Sequence, residues 1–327
     1  MQLDGRLGKY FDLIEEGLQS LDIKKQPEEL YAPISYIMEL GGKRMRPLLT
    51  LLAYNVYKPD VETVVPYALA VEVFHNFTLM HDDIMDQAPL RRGKATVHEK
   101  WNNNIAILSG DVMLVKAYEL FAHLEGEKLT HVLRAFNECA AKVCEGQQMD
   151  MNFETMADVE EEAYIEMITL KTAILLGFAL ELGAILGGAS DRDRYLLKVF
   201  GEYMGIGFQL KDDLLDIYAD QEKFGKQVGG DIIANKKTFL LIKALELAQG
   251  EEKQQLSFWL SQTQFDPDNK VAAIKTIYDK LNIQTMTETK IAHYFEAAFE
   301  ALRNMEISEE KKNILRQFAE QLINREK

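Results

Sequence analysis

The chain has 327 residues, 47% of them hydrophobic, which is enough for one large domain or two modest ones with a substantial core. It carries 37 lysines and arginines against 52 aspartates and glutamates, so its formal net charge is −15. This balance argues against a nucleic-acid-binding protein, which usually needs a basic face. It also means that a phosphate-bearing substrate would be repelled unless metal ions or local cations intervened.

Helical periodicity dominates the chain. In residues 127–146, "EKLTHVLRAFNECAAKVCEG", apolar side chains recur every three or four positions. Residues 111–126, 163–188 and 238–250 show the same spacing, and each of these segments ends in glycine, which suits a helix C-terminus. We find no strand-like alternation bounded by hairpin turns and no linker rich in proline, glycine or serine. The sequence therefore predicts an all-α fold in which residues 1–327 form a single domain.

The two cysteines and the apolar segments indicate where in the cell the protein would be found. Cys139 and Cys144 lie on one predicted helix with side chains pointing apart, so we predict buried free thiols and no disulfide framework. The N-terminus lacks a signal-peptide core, and no uninterrupted apolar run reaches the ~18 residues of a membrane span. We therefore expect a soluble, cytoplasmic protein without a transmembrane segment.

The first motif with a chemical meaning is "GGKRMRP", residues 41–47. A glycine pair precedes three cations, Lys43, Arg44 and Arg46. Arginine forks bind pairs of phosphate oxygens, and lysine acts as a point charge. Alone, such a stretch is more often a solvated loop. Beside a metal site, it would suit a diphosphate that no metal needs to hold.

An aspartate cluster follows a largely apolar predicted helix, residues 68–80. Asp82 and Asp86 are one turn apart on the same helix face, and Asp83 lies beside them. Such close like charges repel one another and raise the pKa of each carboxyl unless cations neutralise them. Magnesium does so with one or two carboxylates, several waters and substrate phosphate oxygens. A single DDxxD, however, is also a common chance match.

Neighbouring residues strengthen the metal interpretation. Arg91 and Arg92 follow the cluster, and a solvated acidic helix end has no need of them. His75 lies two turns before Asp82, where it could contact a ligand, although a lone histidine on an apolar helix is usually a core residue. Glu72 and His75 also form the ExxH element of di-iron bundles. That architecture needs two such elements, and the sequence has no second one.

A second cluster repeats the first. Asp212, Asp213 and Asp216 have the same spacing and again follow an apolar segment, residues 195–207. Two copies of an unusual pattern in one context are hard to ascribe to chance. We predict that both clusters bind metal ions and thereby attract a diphosphate.

Glycines flank the second cluster. Gly205 and Gly207 precede it, where they either permit close helix approach or kink the helix. After it, residues 220–238 combine glycines with Lys226 and Lys236. This segment could close over phosphates and exclude water from a reactive intermediate, or it could be an ordinary surface loop.

Together these motifs resemble the trans-isoprenyl diphosphate synthases, also called polyprenyl synthetases. The similarity spans most of the chain and rests on motifs in the family's order: "GGKRMRP", "HDDIMDQAPLRRGKATVH", "GD" at Gly110–Asp111, "GQQMD", "KT" at Lys171–Thr172, "FQLKDDLLD", "GKQVGGD" and "NKKT". The resemblance implies a bundle of many antiparallel helices around a deep central cavity, usually as a homodimer. It also implies a magnesium-dependent prenyltransferase that condenses isopentenyl diphosphate head-to-tail with an allylic diphosphate.

The resemblance further implies a role for individual residues. About three magnesium ions on the allylic diphosphate would be held by Asp82, Asp83, Asp86, Asp212, Asp213 and Asp216. Contacts to the allylic substrate would come from Arg91, Lys171, Thr172, Gln209, Lys226 and Lys236. Isopentenyl diphosphate would be held by Gly42, Lys43, Arg46, His75 and Arg92. The catalytic set would be Asp82, Asp83, Asp86, Arg91, Lys171, Asp212 and Lys226.

Product length in this family depends on residues upstream of the first cluster. Phe77 is bulky and lies about 7.5 Å below Asp82 along a helix, whereas Thr78 is small. A single aromatic at this place resembles the geranylgeranyl type, so we expect a twenty-carbon product, with fifteen carbons next. Alternatively, Phe77 is plain core, the floor lies deeper near Phe74, and the product is longer.

Two other functions compete with this one. A class I terpene cyclase shares the first cluster, but its second metal motif usually mixes Asn, Ser or Thr with Glu, and it has no use for "GGKRMRP". A non-catalytic subunit that regulates a partner synthase tends to lose aspartates, whereas this chain keeps both clusters.

Overall fold

The computed structural model describes residues 5–219 and 229–324. These residues fall into two compact units. One comprises the described residues up to Glu138 together with Phe178–Lys198, and the other comprises Cys139–Gly177 and the described residues from Val199 onward. Helices account for nearly all of the regular structure, which confirms the all-α prediction. The single domain over 1–327 stays a prediction.

The first unit is built from helices and one very short two-stranded ribbon. Its elements in chain order are α1 (Gly5–Gln19), α2 (Glu28–Glu39), α3 (Met45–Tyr57), a 3₁₀ turn (Val61–Val64), α4 (Val65–Met85), β1 (Leu90–Arg91), β2 (Lys94–Ala95), α5 (Val97–Lys100) and α6 (Asn103–Phe121). Parts of α7 (Gly126–Thr155), α9 (Ile174–Gly187) and α10 (Asp191–Tyr218) also belong to it.

The second unit contains the remaining parts of α7, α9 and α10. Its other elements are α8 (Glu161–Ile168), a π-helical turn (Thr169–Ala173), α11 (Gly230–Ile233), α12 (Phe239–Leu247), α13 (Gly250–Ser261), α14 (Pro267–Lys280), α15 (Ile283–Arg303) and α16 (Glu309–Ile323).

Local sequence explains where the helices begin and end. Asn102 caps α6, because its side chain accepts a hydrogen bond from the backbone N–H of Ile105 at 2.9 Å. Directly after the C-terminal end of α9, Gly188 adopts a left-handed φ of 81°. This lets the N–H of Ala189 reach the carbonyl of Ala184 at 3.0 Å, the bond that closes a Schellman motif. The glycine-terminated segment 163–188 therefore ends as the sequence predicts.

The core of the first unit contains a cluster of aromatic rings. The ring of Phe136 lies 5.0 Å from Phe74, 5.1 Å from Phe121 and 5.6 Å from Phe178 between centroids. All four side chains are at most 1% exposed. This packing fixes one face of α4, whose C-terminal end carries the first aspartate cluster.

In the second unit, glycines allow two helices to touch the π-helical turn. A Cβ added to Gly146 of α7 would lie 2.2 Å from the backbone nitrogen of Lys171. A Cβ added to Gly205 of α10 would lie 2.6 Å from the Cα of Ala173. Neither distance is tolerable, so only glycine fits at these crossings. Close helix approach, rather than a kink, is therefore the role of Gly205.

One helical stretch is long and apolar enough to cross a membrane by length and composition alone. It runs from Glu161 to Gly187, and 72% of its most apolar window is buried inside the protein. The sequence expectation of no such segment counted only uninterrupted apolar residues and so missed it. Burial on this scale is typical of a core helix.

The two cysteines differ in their surroundings. Neither forms a disulfide bond, and Cys139 is buried whereas Cys144 is exposed. The prediction of two buried thiols was therefore wrong for Cys144. The five-residue offset on α7 turns it away from the face that carries Cys139.

Candidate active site

The first aspartate cluster sits at the C-terminal end of α4. Asp82 and Asp83 lie in its last turn, and Asp86 is the C-cap residue. The side chain of Asp83 is 3% exposed, that of Asp82 is 17% exposed, and Asp86 is exposed. The helix end therefore exposes Asp86, leaves Asp82 half-buried and buries Asp83.

Arg91 neutralises the buried carboxylate. Its Nε donates to both oxygens of Asp83, at 2.8 and 2.9 Å, and its Nη2 lies 3.4 Å from Asp82 Oδ2. Burial raises the pKa of Asp83, and the bonds from Arg91 oppose that rise. The predicted contact between Arg91 and the allylic diphosphate would thus be made by a guanidinium that already holds Asp83.

The two arginines are carried by a hairpin that the sequence analysis did not anticipate. Leu90 pairs with Ala95 and Arg91 with Lys94 in an antiparallel ribbon. Arg92 and Gly93 form its turn with φ of 54° and 76°. Positive φ at both central residues is what a two-residue hairpin turn needs. The signal was present as Arg-Gly between short segments, but strands of two residues are too short to show alternation.

The second set of predicted residues also converges in the first unit. Gly42 has φ of 154°, and a Cβ there would lie 3.1 Å from both terminal nitrogens of Arg92. Arg46 Nη1 lies 3.0 Å from Nε2 of His75. Gly42, Arg46, His75 and Arg92 are thus brought together, whereas Lys43 is exposed on the same loop.

His75 is neutral in this setting. Burial lowers its pKa well below the usual value, and the charges of the neighbouring arginines lower it further. Because arginine only donates, Nε2 of His75 must accept from Arg46. A neutral histidine that orients an arginine leaves the positive charge available to an anion.

Arg44 anchors the basic loop, residues 41–44, a role that the sequence did not predict. Its guanidinium donates to Glu72 Oε1 at 2.8 Å, to Glu15 Oε1 at 3.0 Å and to the carbonyl of Met38 at 2.9 Å. Arg44 and Glu72 are both buried. Glu72 is therefore committed to an ion pair, in keeping with the rejection of a di-iron site.

In the second unit, both carboxylate oxygens of Asp213 accept hydrogen bonds. Asp213 Oδ1 accepts from Gln209 Nε2 at 3.0 Å, and Oδ2 accepts a hydrogen bond from the hydroxyl of Tyr164. Thr172 in turn donates to Gln209 Oε1 at 3.2 Å. The predicted residues Thr172, Gln209 and Asp213 thus form one hydrogen-bonded chain. Burial raises the pKa of Asp213, and the charge of Lys236 opposes it.

Asp216 organises the segment that begins at Gly229. Its Oδ2 accepts from the N–H of Asp231 at 2.9 Å, and its carbonyl accepts from the N–H of Gly229 at 2.6 Å. Burial raises the pKa of Asp231 to about 7, with further upward contributions from Asp213, Asp216 and Asp150. Negative charge is therefore concentrated in this part of the second unit.

Lys171 is presented by the π-helical turn. Its Nζ donates to Asp150 Oδ2 at 2.6 Å. The predicted Lys226 lies outside the described residues.

Three residues of this cluster escaped the sequence analysis: Asp150, Tyr164 and Asp231. Asp150 and Asp231 end the motifs "GQQMD" and "GGD", which carried the family resemblance without any role being assigned to these residues. Tyr164 gave no signal beyond its place in an apolar helix.

The donor set fits magnesium. All the candidate ligands are carboxylate oxygens, the type that this hard cation prefers. Within residues 5–219 and 229–324, no three His, Cys, Asp or Glu side chains lie close enough together to hold an ion directly. Magnesium usually takes only one or two carboxylates and completes its shell with waters and phosphate oxygens. Burial raises the pKa of Asp83, Asp213 and Asp231, and a bound cation would favour their ionised forms.

Comparison with known proteins decides the family. A sequence model of the polyprenyl synthetases matches residues 27–281. The chain belongs to the polyprenyl synthetase family. This confirms the resemblance drawn from the motifs.

Individual relatives agree with this assignment. The geranylgeranyl diphosphate synthase of Methanosarcina mazei is 43% identical over 223 residues, which cover 68% of this chain and 69% of that protein. The geranylgeranyl pyrophosphate synthase of Geoglobus acetivorans is 35% identical over 319 residues, 96% of each chain. Enzymes with these names are transferases.

Solved structures show the same fold. The geranylgeranyl pyrophosphate synthetase of Pyrococcus horikoshii has a TM-score of 0.91 at 34% identity over 98% of both chains. The Corynebacterium glutamicum geranylgeranyl pyrophosphate synthase, solved with isoprenyl diphosphate and magnesium, has a TM-score of 0.85 at 26% identity over 99% of this chain and all of that one.

Proposed function

We propose that this chain is a magnesium-dependent prenyltransferase that condenses isopentenyl diphosphate with an allylic diphosphate, with geranylgeranyl diphosphate as its main product. Farnesyl diphosphate is the next candidate. Family membership and relatives of 35–43% identity with geranylgeranyl synthase names support this function.

The observation that carries the proposal is the convergence of Gly42, Arg46, His75 and Arg92 in the first unit. Two of these residues are arginines and His75 accepts a hydrogen bond from one of them, so together they form a cationic site. A terpene cyclase binds one diphosphate and has no use for it. Condensation of two diphosphates requires one such site in addition to a metal site.

The side chains divide the work by charge. We propose that Asp82, Asp86 and Asp212, with Asp83, Asp213 and Asp216 in support, hold about three magnesium ions against the allylic diphosphate. Bound magnesium supplies positive charge that stabilises a departing diphosphate. Arg91, Lys171, Thr172, Gln209, Lys226 and Lys236 would contact the same substrate. Lys43, Arg46 and Arg92 would hold the diphosphate of isopentenyl diphosphate.

The reaction then follows in three steps. The C1–O bond of the allylic substrate breaks, the electron pair leaves with the diphosphate, and an allylic carbocation remains. The double bond of isopentenyl diphosphate attacks C1, and a new carbon–carbon bond forms head-to-tail. A proton is lost from the new cation to the departed diphosphate, which regenerates an allylic double bond. The protein contributes electrostatic stabilisation and positioning.

Product length would be set by Phe77, with the small Thr78 beside it. Phe77 is half-buried on α4, and its ring lies 5.6 Å from that of Phe74. The Thr78 hydroxyl donates to the carbonyl of His75 at 2.8 Å, so it is turned onto its own helix. The chain would then stop growing when its end reaches the ring of Phe77.

A substrate-omission experiment tests this function. Purified protein is incubated with labelled isopentenyl diphosphate, farnesyl diphosphate and magnesium, and acid-labile label is counted. Incorporation is expected only when both substrates and magnesium are present, and EDTA should abolish it. Hydrocarbon release from farnesyl diphosphate alone would indicate a cyclase. Incorporation only after a second protein is added would indicate a regulatory subunit.

The family resemblance also leads us to propose a cytoplasmic homodimer. Light scattering coupled to gel filtration would give the mass. A monomeric mass at assay concentration would contradict this part of the proposal.

A further inference from the structure

We propose that His81 and Gly110 hold the ring of Phe77 in position and so take part in setting product length. His81 would be a positioning residue. This inference rests on the proposed function, in which Phe77 is the floor of the prenyl-chain cavity. It concerns contacts within the first unit only, between α4 and α6.

Phe77 is supported by a ring on either side along α4. His81 lies one turn after it, with ring centroids 4.8 Å apart and planes at 64°, an edge-to-face contact. Phe74 lies one turn before it, is 1% exposed and packs against Phe136. The core holds the Phe74 ring firmly. The position of the Phe77 ring therefore depends on what holds His81.

α6 fixes His81 in two ways. The imidazole Nε2 lies 3.1 Å from the carbonyl oxygen of Ile107. A carbonyl only accepts, so Nε2 carries the proton and donates. The second contact is with Gly110, where an added Cβ would lie 2.2 Å from Nε2 and 2.6 Å from Cδ2 of His81. The imidazole occupies the space that any other side chain at position 110 would fill.

The backbone conformation does not require glycine at position 110. Gly110 lies inside α6, where glycine costs about 0.5–1 kcal/mol relative to alanine. Its φ is not positive, so no turn requires it. Accommodation of His81 accounts for it. Gly110 on α6 thus restricts the position of His81, and His81 in turn restricts the ring of Phe77 at the proposed floor of the cavity.

Three variants test this inference by product length. His81→Ala removes the support, so the Phe77 ring can tilt into the vacated space and products longer than the wild-type product should become prominent. Gly110→Ala expels the imidazole and should shift the product in the same direction. The double variant His81→Ala/Gly110→Ala should match His81→Ala alone, because without the imidazole there is nothing for Gly110 to accommodate.

Control variants separate positioning from general damage. Gly8→Ala makes the same chemical change on an exposed part of α1, where nothing lies within 4 Å of the new Cβ, and should leave the product unchanged. His81→Phe keeps a flat ring in the hollow and should retain the wild-type product length. The double variant removes the steric clash, so the test survives if Gly110→Ala alone fails to fold.

The outcomes distinguish this inference from the function on which it rests. If Phe77→Ala lengthens the product but His81→Ala does not, the inference is wrong and the floor role of Phe77 stands. If Phe77→Ala also leaves the product unchanged, both fail. If the double variant gives a product distribution different from that of His81→Ala, Gly110 does not act through His81.

Discussion

The hydroxyl of Tyr164 donates a hydrogen bond to Oδ2 of Asp213, and both side chains are buried. The other oxygen of this carboxylate, Oδ1, accepts a hydrogen bond of 3.0 Å from Gln209. Both Asp213 oxygens therefore accept bonds from protein donors. The tyrosine fixes the orientation of a carboxylate at the centre of the second aspartate cluster.

Replacement of Tyr164 by phenylalanine should therefore impair metal use. The Asp213 carboxylate would lose one of its two donors, at a cost of roughly 1–3 kcal/mol in the free energy of unfolding. It would also be free to rotate, so we expect turnover to fall and the magnesium concentration for half-maximal rate to rise. Rates measured across a magnesium titration would check this.

Tyr54→Phe is the matched control, because it also removes a tyrosine–aspartate hydrogen bond, to Asp60 at 3.0 Å, and neither residue belongs to an aspartate cluster. An unaltered magnesium titration in Tyr164→Phe would show that the bond to Asp213 has no bearing on metal use.

Arg44 and Glu72 form a buried ion pair beneath the basic loop, and loss of one partner should be costly. Arg44→Met would leave Glu72 buried without its cation and destabilise the protein by about 3–5 kcal/mol. Urea unfolding should show this, and the double variant Arg44→Met/Glu72→Met should lose less than the sum of the single variants.

The same pair should influence one substrate more than the other. Because Arg44 holds the loop that carries Gly42 and leads directly into Arg46 in the first turn of α3, we expect KM for isopentenyl diphosphate to rise while KM for the allylic substrate changes little. Lys9→Ala serves as the control, because it breaks an ion pair with Glu62 in which the two side chains are 62% and 48% exposed. Equal changes in both KM values would argue against a specific role for the loop.

His75 gives a prediction about pH. Its pKa is lowered by burial and by nearby arginines, so the unfolded chain takes up this proton at a higher pH than the folded protein does. Its contribution to stability is therefore fully present above the unfolded value near 6.5 and is lost as the pH falls toward the folded value.

The variant His75→Gln should consequently lose less stability than the wild type between pH 7 and pH 5. Thermal unfolding at several pH values would measure the difference. Parallel curves for the two proteins would mean that His75 is protonated in the folded state as readily as in the unfolded chain.

Each aspartate cluster should be needed for turnover. Asp82→Ala or Asp212→Ala is expected to reduce kcat by roughly 100-fold or more, the usual scale for loss of one group that stabilises developing charge. Asp268→Ala, an exposed aspartate in the first turn of α14, should retain normal activity. Near-normal rates in saturating magnesium would remove the metal role of the mutated cluster.

Repeated patterns allowed much of this to be predicted from the sequence. Helical spacing predicted α6, α7, α9 and α12, and the glycine at 188 marked a helix end. The same expectation was wrong for Gly126 and Gly250, which are the first residues of α7 and α13. Family motifs pointed to Gly42, Arg46, His75 and Arg92, which the structure brings together. These features depend on local spacing, which a single sequence displays.

Features that depend on tertiary partners were not visible. The bond from Tyr164 joins residues 49 apart in the chain, and the pairing of Arg91 with Asp83 depends on the short hairpin of residues 90–95. The π-helical turn that presents Lys171 and Thr172 packs closely against two neighbouring helices, at positions where only Gly146 and Gly205 fit. No periodicity marks such contacts in advance.

The most direct test of the proposed function is the chain length of the product over time. Purified protein would receive farnesyl diphosphate, excess isopentenyl diphosphate and magnesium, and the dephosphorylated products would be separated by chromatography. We expect a twenty-carbon alcohol that accumulates and does not grow further. Absence of any elongated product in the presence of magnesium would contradict the prenyltransferase function, and steady growth to much longer chains would contradict the geranylgeranyl assignment.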